Sequence, residues 1–356
     1  MTPLAPLPLQ PLPERPLVSA LVSCYNYRAY VADAVESVLA QGYEPVEVVV
    51  VDDGSTDGSG DRVRSQFGSD VRVRLIEQAN AGQGAAMNTA VAAANGEVLC
   101  FLDADDVFEP EKAARAVDAF RARPGAGFLV HGFTTVDGGG RVLSVETRLP
   151  EAGWQGEAVL RRGGAVPAAP PTSALVLRRA VADALFPLDP TFRIAADVLV
   201  QRLAPLLTEI AVVPEPLMRY RVHGANHFGA VDQTAEGISR MIEVAEAARE
   251  RQGAFLRGRF GAEVASRLRP LSDDPGWLGL RVQRAYLDRS PSFEGAARHL
   301  AAHPDSASGR AGAVARLAAS LPRPLGLGLW GTFYGSGVHK RALRFVRSVL
   351  LQLRTS

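Results

Sequence analysis

The chain has 356 residues, of which 47% are hydrophobic and 22% charged, and its net charge is +1. This composition is typical of a soluble globular protein with one large domain and a smaller one, and it gives no support to nucleic-acid binding. The two cysteines, Cys24 and Cys100, are too few for a disulfide framework and are expected to be reduced core thiols. No apolar stretch approaches the roughly 18 to 20 uncharged residues of a membrane span, and no secretory signal is recognisable, so we expect a cytoplasmic protein.

The first 16 residues include six prolines. Proline fixes φ and lacks a backbone N–H, so this segment cannot form a helix or a paired strand. We predict a disordered, extended leader over residues 1–16.

From residue 17 onwards, apolar runs alternate with amphipathic stretches. Strands are predicted at 17–24, 46–53, 71–77 and 98–103, and helices at 28–41, 57–67, 82–95 and 110 to about 121. This alternation predicts βαβ units, and the valine-rich runs are typical of parallel strands covered on both faces. The sequence therefore predicts an α/β fold with a Rossmann-like, mostly parallel sheet flanked by helices.

The pattern changes after the fourth helix. Strand patterns at 127–136, 173–179 and 209–222 surround a predicted helix near 197–207. Beyond about residue 232 the chain is helical and rich in Ala and Arg, which predicts a first domain over 17–231 and a helical region over 232–356.

Polar side chains follow three of the predicted strands, namely Tyr25 and Asn26, Asp52 and Asp53, and Asp103 and Asp105. In an open α/β sheet the carboxyl ends of the strands form the ligand crevice. Acidic groups that are distant in sequence are therefore expected to meet at one edge of the sheet.

Each cluster has two interpretations when it is taken alone. The segment DDGSTD (52–57) is either a turn with a helix cap or part of a site. Similarly, the glycines of NAGQGAAMN (80–88) either form a plain turn or open a helix N-terminus to a phosphate. FLDADD (101–106) is either a solvated loop or an oxygen site for Mg²⁺ or Mn²⁺, completed by a diphosphate.

Taken together, these motifs are more specific. YNY (25–27), DDGSTD, NAGQGAAMN and FLDADD resemble, in order and spacing, the family 2 glycosyltransferases of the GT-A fold. The resemblance is strong over 17–112 and continues more weakly to about 228 through PTSALVLRR (171–179), FRIAADVLVQRL (192–203) and RYRVHGANHF (219–228).

The resemblance implies a nucleotide-binding half over 17–112, an acceptor and catalytic half over 113–231, and a metal site. Its nucleotide-binding residues would be Ser23, Tyr25, Asp53, Asn80, Gly82, Asn88 and Asp103. Asp53 would accept a hydrogen bond from the base, Asp103 would contact the ribose, and Asp105 would ligate a divalent Mn²⁺ or Mg²⁺. Asp106 would either begin the following helix or support the site.

The resemblance also implies a catalytic base. In the family this is an acid at a helix start, usually preceded by Glu, and here the match is Asp197 after two alanines. Asp197 would take the acceptor proton, and the alternative is that it only caps the helix. His223 would reach the metal, or else be a structural residue, and Arg221 would neutralise the diphosphate.

The last part of the chain is basic. After Asp305 there is no acidic residue but eight Lys or Arg, and residues 339–354 form an amphipathic pattern with an apolar stripe. Such a helix either lies on an anionic membrane surface, at the inner face of the membrane, or packs on protein. Association of the chain with itself is left open.

The predicted function is an inverting glycosyltransferase that moves a sugar from a nucleoside-diphosphate sugar, expected to be a UDP-sugar, to a glycan or lipid-linked saccharide. Two other classes are weighed against it. One is a nucleotidyltransferase, although no triphosphate loop follows the first strand. The other is a catalytically inactive sugar-nucleotide-binding or scaffold protein, which the missing Glu before Asp197 would explain.

Overall fold

The structure, a computed structural model, describes residues 3–166, 168, 170–223, 234–303 and 310–334. The strands are β1 (Val18–Cys24), β2 (Val46–Asp52), β3 (Val73–Glu77), β4 (Val98–Asp103), β5 (Val107–Phe108), β6 (Ala126–Asp137), β7 (Val142–Glu146), β8 (Gly153–Trp154), β9 (Leu175–Arg178) and β10 (Glu209–Val222). The basic helix predicted at 339–354 lies outside the described residues.

The helices of the described residues are numbered in chain order. They are α1 (Val31–Leu39), α2 (Ser59–Phe67), α3 (Gln83–Ala93), α4 (Lys112–Ala122), α5 (Gly156–Arg161), α6 (Arg179–Leu185), α7 (Asp197–Leu207), α8 (Ala235–Phe260), α9 (Ala262–Ser266), α10 (Pro275–Leu287), α11 (Phe293–Ala302), α12 (Arg310–Ser320) and α13 (Arg323–Tyr334). A 3₁₀ turn, Thr172–Ala174, leads into β9.

The predicted α/β sheet is confirmed. Ten strands form one sheet with the central order β3-β2-β1-β4-β9-β6-β10-β5, in which β7 pairs with β6 and β8 with β10. The pairs β3–β2, β2–β1 and β1–β4 are parallel, whereas β9 is antiparallel to both β4 and β6. The parallel character therefore holds for the N-terminal half, and the sheet is mixed beyond β4.

The core explains why the valine runs form strands. Val48, Val49, Val50 and Val51 of β2 are fully buried, as expected for a strand covered by helices on both faces. The two cysteines are buried free thiols.

The proline-rich leader is extended but is not a free tail. The Leu7 N–H donates to the carbonyl of Leu207 at 2.6 Å, and the Arg178 guanidinium donates to the carbonyl of Gln10. The carbonyls of Pro13, Glu14 and Pro16 also accept hydrogen bonds from Arg121 and Tyr43. Proline lacks an N–H but keeps its carbonyl, so the leader is bound mainly through its acceptors. Residues 3–16 therefore differ from the disordered segment predicted from composition.

The chain divides into two compact units. The first comprises residues 1–160, 165–227 and 251–267, and the second comprises 161–164, 228–250 and 268–356. The first unit therefore takes in residues 251–267, which lie beyond the predicted boundary at 231.

The second unit is helical in its described part. Its core includes an edge-to-face contact between Phe293 and Trp330, whose ring centroids are 6.3 Å apart. The indole N–H of Trp330 donates to Gln283 at 2.9 Å. Among the described residues, no helix has the length and apolar character that crossing a membrane requires.

Candidate active site

The end of β4 is fixed by its neighbours on both sides. Asp103 lies opposite Ser23 in the parallel pairing of β4 with β1. On the other side, the Ser173 hydroxyl accepts a hydrogen bond from the Asp103 N–H at 2.9 Å and donates to the Asp106 carboxylate at 2.6 Å. Asp106 is fully buried and lies well before α4, so it supports the site instead of starting the helix.

Thr172 joins two of the predicted site residues. Its hydroxyl lies beside the carboxyl groups of both Asp103 and Asp197 and acts to lower the pKa of each. Burial, together with the charges of Asp105 and Asp197, raises the pKa of Asp103 to about 8.

Asp197 is the first residue of α7. Burial raises the pKa of its carboxyl to about 6, while hydrogen bonds from Thr172 and from the Val198 N–H act in the opposite direction. The cap position is occupied by Ala196, which makes no side-chain cap. Asp197 is therefore the first helical residue and not the N-cap, and its carboxyl accepts a hydrogen bond from the next residue of the helix.

Asp105 and His223 form the second acidic centre. The imidazole Nε2 of His223 lies 3.1 Å from Oδ2 of Asp105, and both side chains are largely buried. The imidazole stacks on the ring of Tyr30, with centroids 4.7 Å apart, and meets Tyr27 edge-on at 5.9 Å. Burial raises the pKa of Asp105, whereas His223 and Arg221 oppose that rise. The structure thus brings together the two predicted metal ligands.

Arg221 lies beside this pair. Its guanidinium contacts Asp33 at 3.2 Å and covers the ring of Tyr30 at 4.7 Å, and its backbone N–H donates to Asp106 at 2.9 Å. These contacts fix the end of β10, directly before His223. The predicted contact with a diphosphate stays a prediction.

Asp53 organises the glycine-rich loop. Its Oδ1 accepts hydrogen bonds from the Gln78 amide at 2.7 Å and the Ala81 N–H at 2.9 Å, and its Oδ2 accepts from the Gly82 N–H at 2.7 Å. The side chain is buried. In this arrangement the carboxylate holds the loop, a role that the sequence did not indicate.

The glycines of the loop serve close packing of the backbone. A Cβ on Gly82, whose φ is +91°, would lie 2.4 Å from Cα of Arg193, and one on Gly84 would lie 2.8 Å from the Phe192 carbonyl oxygen. Asn80 accepts a hydrogen bond from the Arg193 guanidinium. The start of α3 is therefore occupied by the segment before α7, which argues against the phosphate-binding interpretation of these glycines.

Asn88 makes structural contacts, and its predicted contact with the nucleotide stays a prediction. Its side-chain amide donates to the carbonyl of Leu188 at 2.8 Å, and its side-chain oxygen accepts from the Leu188 N–H at 2.7 Å. Both ends of the amide are used in holding the backbone between α6 and α7. Ser23 and Tyr25 are half-buried at the end of β1, and their predicted contacts with the nucleotide stay predictions.

Sequence reasoning missed several supporting residues. Thr172 and Ser173 stand in a motif that matched the family, but no role was assigned to them. Lys112 is fully buried, donates to the Ser173 carbonyl at 2.5 Å and lies 3.6 Å above the ring of Phe108. Burial lowers the pKa of Lys112 to about 7. A lysine in an otherwise ordinary amphipathic helix gave no signal of this position.

The donor set fits a divalent ion that also takes ligands from its substrate. Within the described ranges, no three His, Cys, Asp or Glu side chains are grouped so as to hold an ion alone. The 3.1 Å between Asp105 and His223 is close to the separation of about 3 Å expected for adjacent ligands with bonds of about 2.1 Å in an octahedron. Mg²⁺ typically binds one or two protein groups and completes its shell with phosphate oxygens and water.

Comparison with known proteins assigns the family. The description Glycosyl transferase family 2 matches residues 19–185. An uncharacterized glycosyltransferase of Nostoc sp. is 38% identical over 252 residues, which are 69% of this chain and 78% of the relative. Chondroitin synthase of Escherichia coli is 41% identical over 106 residues, which are 30% of this chain and 16% of that protein.

Two solved structures are similar in fold. TarS 1-349 of S. aureus in complex with UDP-GlcNAc gives a TM-score of 0.51 at 18% identity, over 89% of this chain and 91% of that chain. The mannosyltransferase PcManGT from Pyrobaculum calidifontis, in complex with GDP-Man and Mn²⁺, gives 0.51 at 21% identity, over 95% and 86%. Both support the GT-A fold. The chain therefore belongs to glycosyltransferase family 2 and is a glycosyltransferase.

Proposed function

We propose that this enzyme transfers a sugar, with inversion, from a nucleoside-diphosphate sugar to a hydroxyl group of a glycan or a lipid-linked saccharide. The observation that carries the proposal is the meeting of Asp103 and Asp197 on either side of Thr172, next to the pair formed by Asp105 and His223. The proposed donor contact, the proposed base and the proposed metal ligands thereby come from three separate parts of the chain, namely residues 103–105, 197 and 223.

Asp197 has the properties of the base that such a reaction needs. The acceptor oxygen forms a bond to the anomeric carbon, the bond from that carbon to the diphosphate oxygen breaks, and the acceptor proton passes to a carboxylate. A general base is most effective when its pKa lies near the working pH. Asp197, with a pKa of about 6, is mostly ionised at pH 7 and is still basic enough to take the proton.

A bound Mn²⁺ or Mg²⁺ would be held by Asp105 and His223 and would stabilise the negative charge of the leaving diphosphate. Burial makes the neighbouring carboxyls costly to ionise, which favours a nearby cation. The neighbours are complexes with UDP-GlcNAc in one case and with GDP-Man and Mn²⁺ in the other. We propose a UDP-sugar as the donor, and a panel of nucleotides tests this choice.

The proposal is tested by thermal unfolding with UDP, GDP, ADP, CDP and dTDP, each with and without Mn²⁺. We expect one nucleotide to raise the melting temperature more with Mn²⁺ than without it, because a ligand that binds only the folded state stabilises it. Asp105→Ala is expected to lose the additional gain from Mn²⁺, whereas Asp183→Asn, an exposed change on α6, is expected to keep it.

The same experiment separates the two rival functions. A scaffold that binds the sugar nucleotide would show the shift but no turnover with any acceptor pool. A nucleotidyltransferase would require a triphosphate and release pyrophosphate, and the assigned family argues against it. No shift with any nucleotide would contradict the proposed donor site.

We further propose that the enzyme works at the inner face of a membrane, held there by residues 339–354. The basic and apolar pattern of this segment supports the proposal. Flotation with anionic liposomes tests it. The full chain is expected to float and a chain ending at residue 334 to remain at the bottom, and equal behaviour of the two would contradict the proposal.

A further inference from the structure

Gln83, at the start of α3, contacts three parts of the site through one side chain. Its Oε1 accepts a hydrogen bond from the Ala196 N–H at 2.9 Å. Its Nε2 lies 3.4 Å from the Thr172 hydroxyl and 3.5 Å from Oδ1 of Asp103. The shortest of the three contacts is therefore the one to the residue directly before Asp197.

The backbone around Gln83 is bound to the same segment. The Gln83 N–H donates to the Arg193 carbonyl at 2.8 Å, and the Gly84 N–H donates to the Phe192 carbonyl at 3.0 Å. The loop that Asp53 holds thus continues directly into contacts with the chain leading to α7. These backbone hydrogen bonds fix the position of Gln83, so its side chain can hold the segment that leads to α7.

The segment that Gln83 holds has an unusual backbone conformation. Ala195 has a φ of +51°, in the left-handed region that residues with a Cβ rarely adopt. Such a conformation persists only where its surroundings fix it. The next residue, Ala196, donates its N–H to Gln83. This hydrogen bond therefore holds the backbone between Ala195, with its unfavourable φ, and Asp197.

We propose that Gln83 is a positioning residue that holds the start of α7 and so sets Asp197 against Asp103. This inference rests on the proposed role of Asp197 as the base. Gln83 acts through Ala196 and the direction of α7, and it does not contact the reacting atoms. Its other end faces Asp103, the proposed donor contact. We therefore expect the contact with Ala196 to affect kcat and the contact with Asp103 to affect the donor KM.

Two substitutions distinguish the two ends. Gln83→Met keeps the length of the side chain but removes both the acceptor and the donor. Gln83→Glu keeps an acceptor for the Ala196 N–H and places a second carboxyl beside Asp103. Gln66→Met, on the exposed face of α2, is the matched control.

The kinetic result we expect is a split. Gln83→Met lowers kcat by at least tenfold, and it also raises the donor KM because it removes the amide that faces Asp103. Gln83→Glu keeps kcat within about threefold of the wild type and raises the donor KM. The inference is overturned if Gln83→Met keeps kcat within twofold of the wild type, or if Gln83→Glu loses as much kcat as Gln83→Met.

A second measurement does not depend on turnover. Amide hydrogen exchange of peptides covering residues 193–198 is expected to be faster in Gln83→Met than in the wild type and in Gln66→Met. Unchanged exchange would overturn the inference even if the enzyme had no activity. In contrast, faster exchange together with full activity of Asp197→Asn would contradict the proposed base and leave the structural role of Gln83 in place.

Discussion

The imidazole Nε2 of His223 lies 3.1 Å from Oδ2 of Asp105, although 118 residues separate the two in sequence. Asp105 follows β4 and His223 follows β10, so neither strand alone makes the pair. Tyr30 supports the imidazole by stacking on it, which fixes the ring before any ligand binds. This pair is where a metal-dependent reaction would show a changed Mn²⁺ requirement after a single substitution.

Replacing His223 by Ala is expected to raise the Mn²⁺ concentration needed for half-maximal activity by about tenfold or more, because one of two protein ligands is lost. The activity at saturating Mn²⁺ is expected to fall less. His299→Ala, at an exposed position of α11, serves as the control. An unchanged Mn²⁺ requirement in His223→Ala would assign His223 a purely structural role.

The pH dependence of kcat follows from Asp197. Its pKa of about 6 lies above the ordinary value of about 3.9, so the base becomes protonated as the pH falls through about 6. At saturating donor and Mn²⁺, kcat is expected to be constant above about pH 7 and to fall tenfold per unit below about pH 6. A rate that stays constant down to pH 4.5 would exclude a base with this pKa.

Asp103→Asn is expected to change stability in a pH-dependent way. The pKa of Asp103 is raised to about 8 in the folded protein, so the folded state holds the proton more tightly than the unfolded chain. The wild type therefore loses stability from this group as the pH rises from about 4 to about 8, and the asparagine variant does not.

Urea denaturation with a chelator present measures this difference in the free energy of unfolding. The stability of Asp103→Asn relative to the wild type is expected to increase between pH 5 and pH 8. A difference in the free energy of unfolding that does not vary with pH would show that burial and neighbouring charges do not raise the pKa of Asp103. Asp183→Asn, with its exposed carboxyl, is expected to show little such trend.

Asn88→Ala separates the structural role of Asn88 from nucleotide binding. The variant loses two hydrogen bonds to the Leu188 backbone, each contributing about 1 kcal/mol, so its melting temperature is expected to fall by several degrees. The donor KM of the folded enzyme is expected to stay within threefold of the wild type. A large rise in donor KM at unchanged stability would restore the role in nucleotide binding that the family resemblance implies.

The sequence predicted the elements that depend on local pattern. Helix α7 and strand β10 have the predicted bounds, and β4 ends at Asp103 as expected. Apolar runs and helical periodicity are local properties, so they are readable without the fold. The convergence of strand ends also followed from a general rule of parallel sheets.

The sequence could not show which partner each site residue contacts. Asn88 and Leu188 are 100 residues apart in sequence, and Asp105 and His223 are 118 apart. Contacts over such separations cannot be read from a local pattern. Thr172 carries no chemical signature, and its role arises only because the turn before β9 lies between Asp103 and Asp197. Likewise, the glycines at the start of α3 satisfied a phosphate-binding pattern, whereas the packing that needs them comes from the chain before α7.

The most direct test of the central claim is the rate of sugar transfer by Asp197→Asn. It is measured at saturating donor, acceptor and Mn²⁺ beside the wild type and Asp183→Asn. We predict that Asp197→Asn loses at least 100-fold in kcat, as expected when a general base is removed, while the nucleotide still raises its melting temperature. A kcat within tenfold of the wild type would contradict the account of Asp197 as the base.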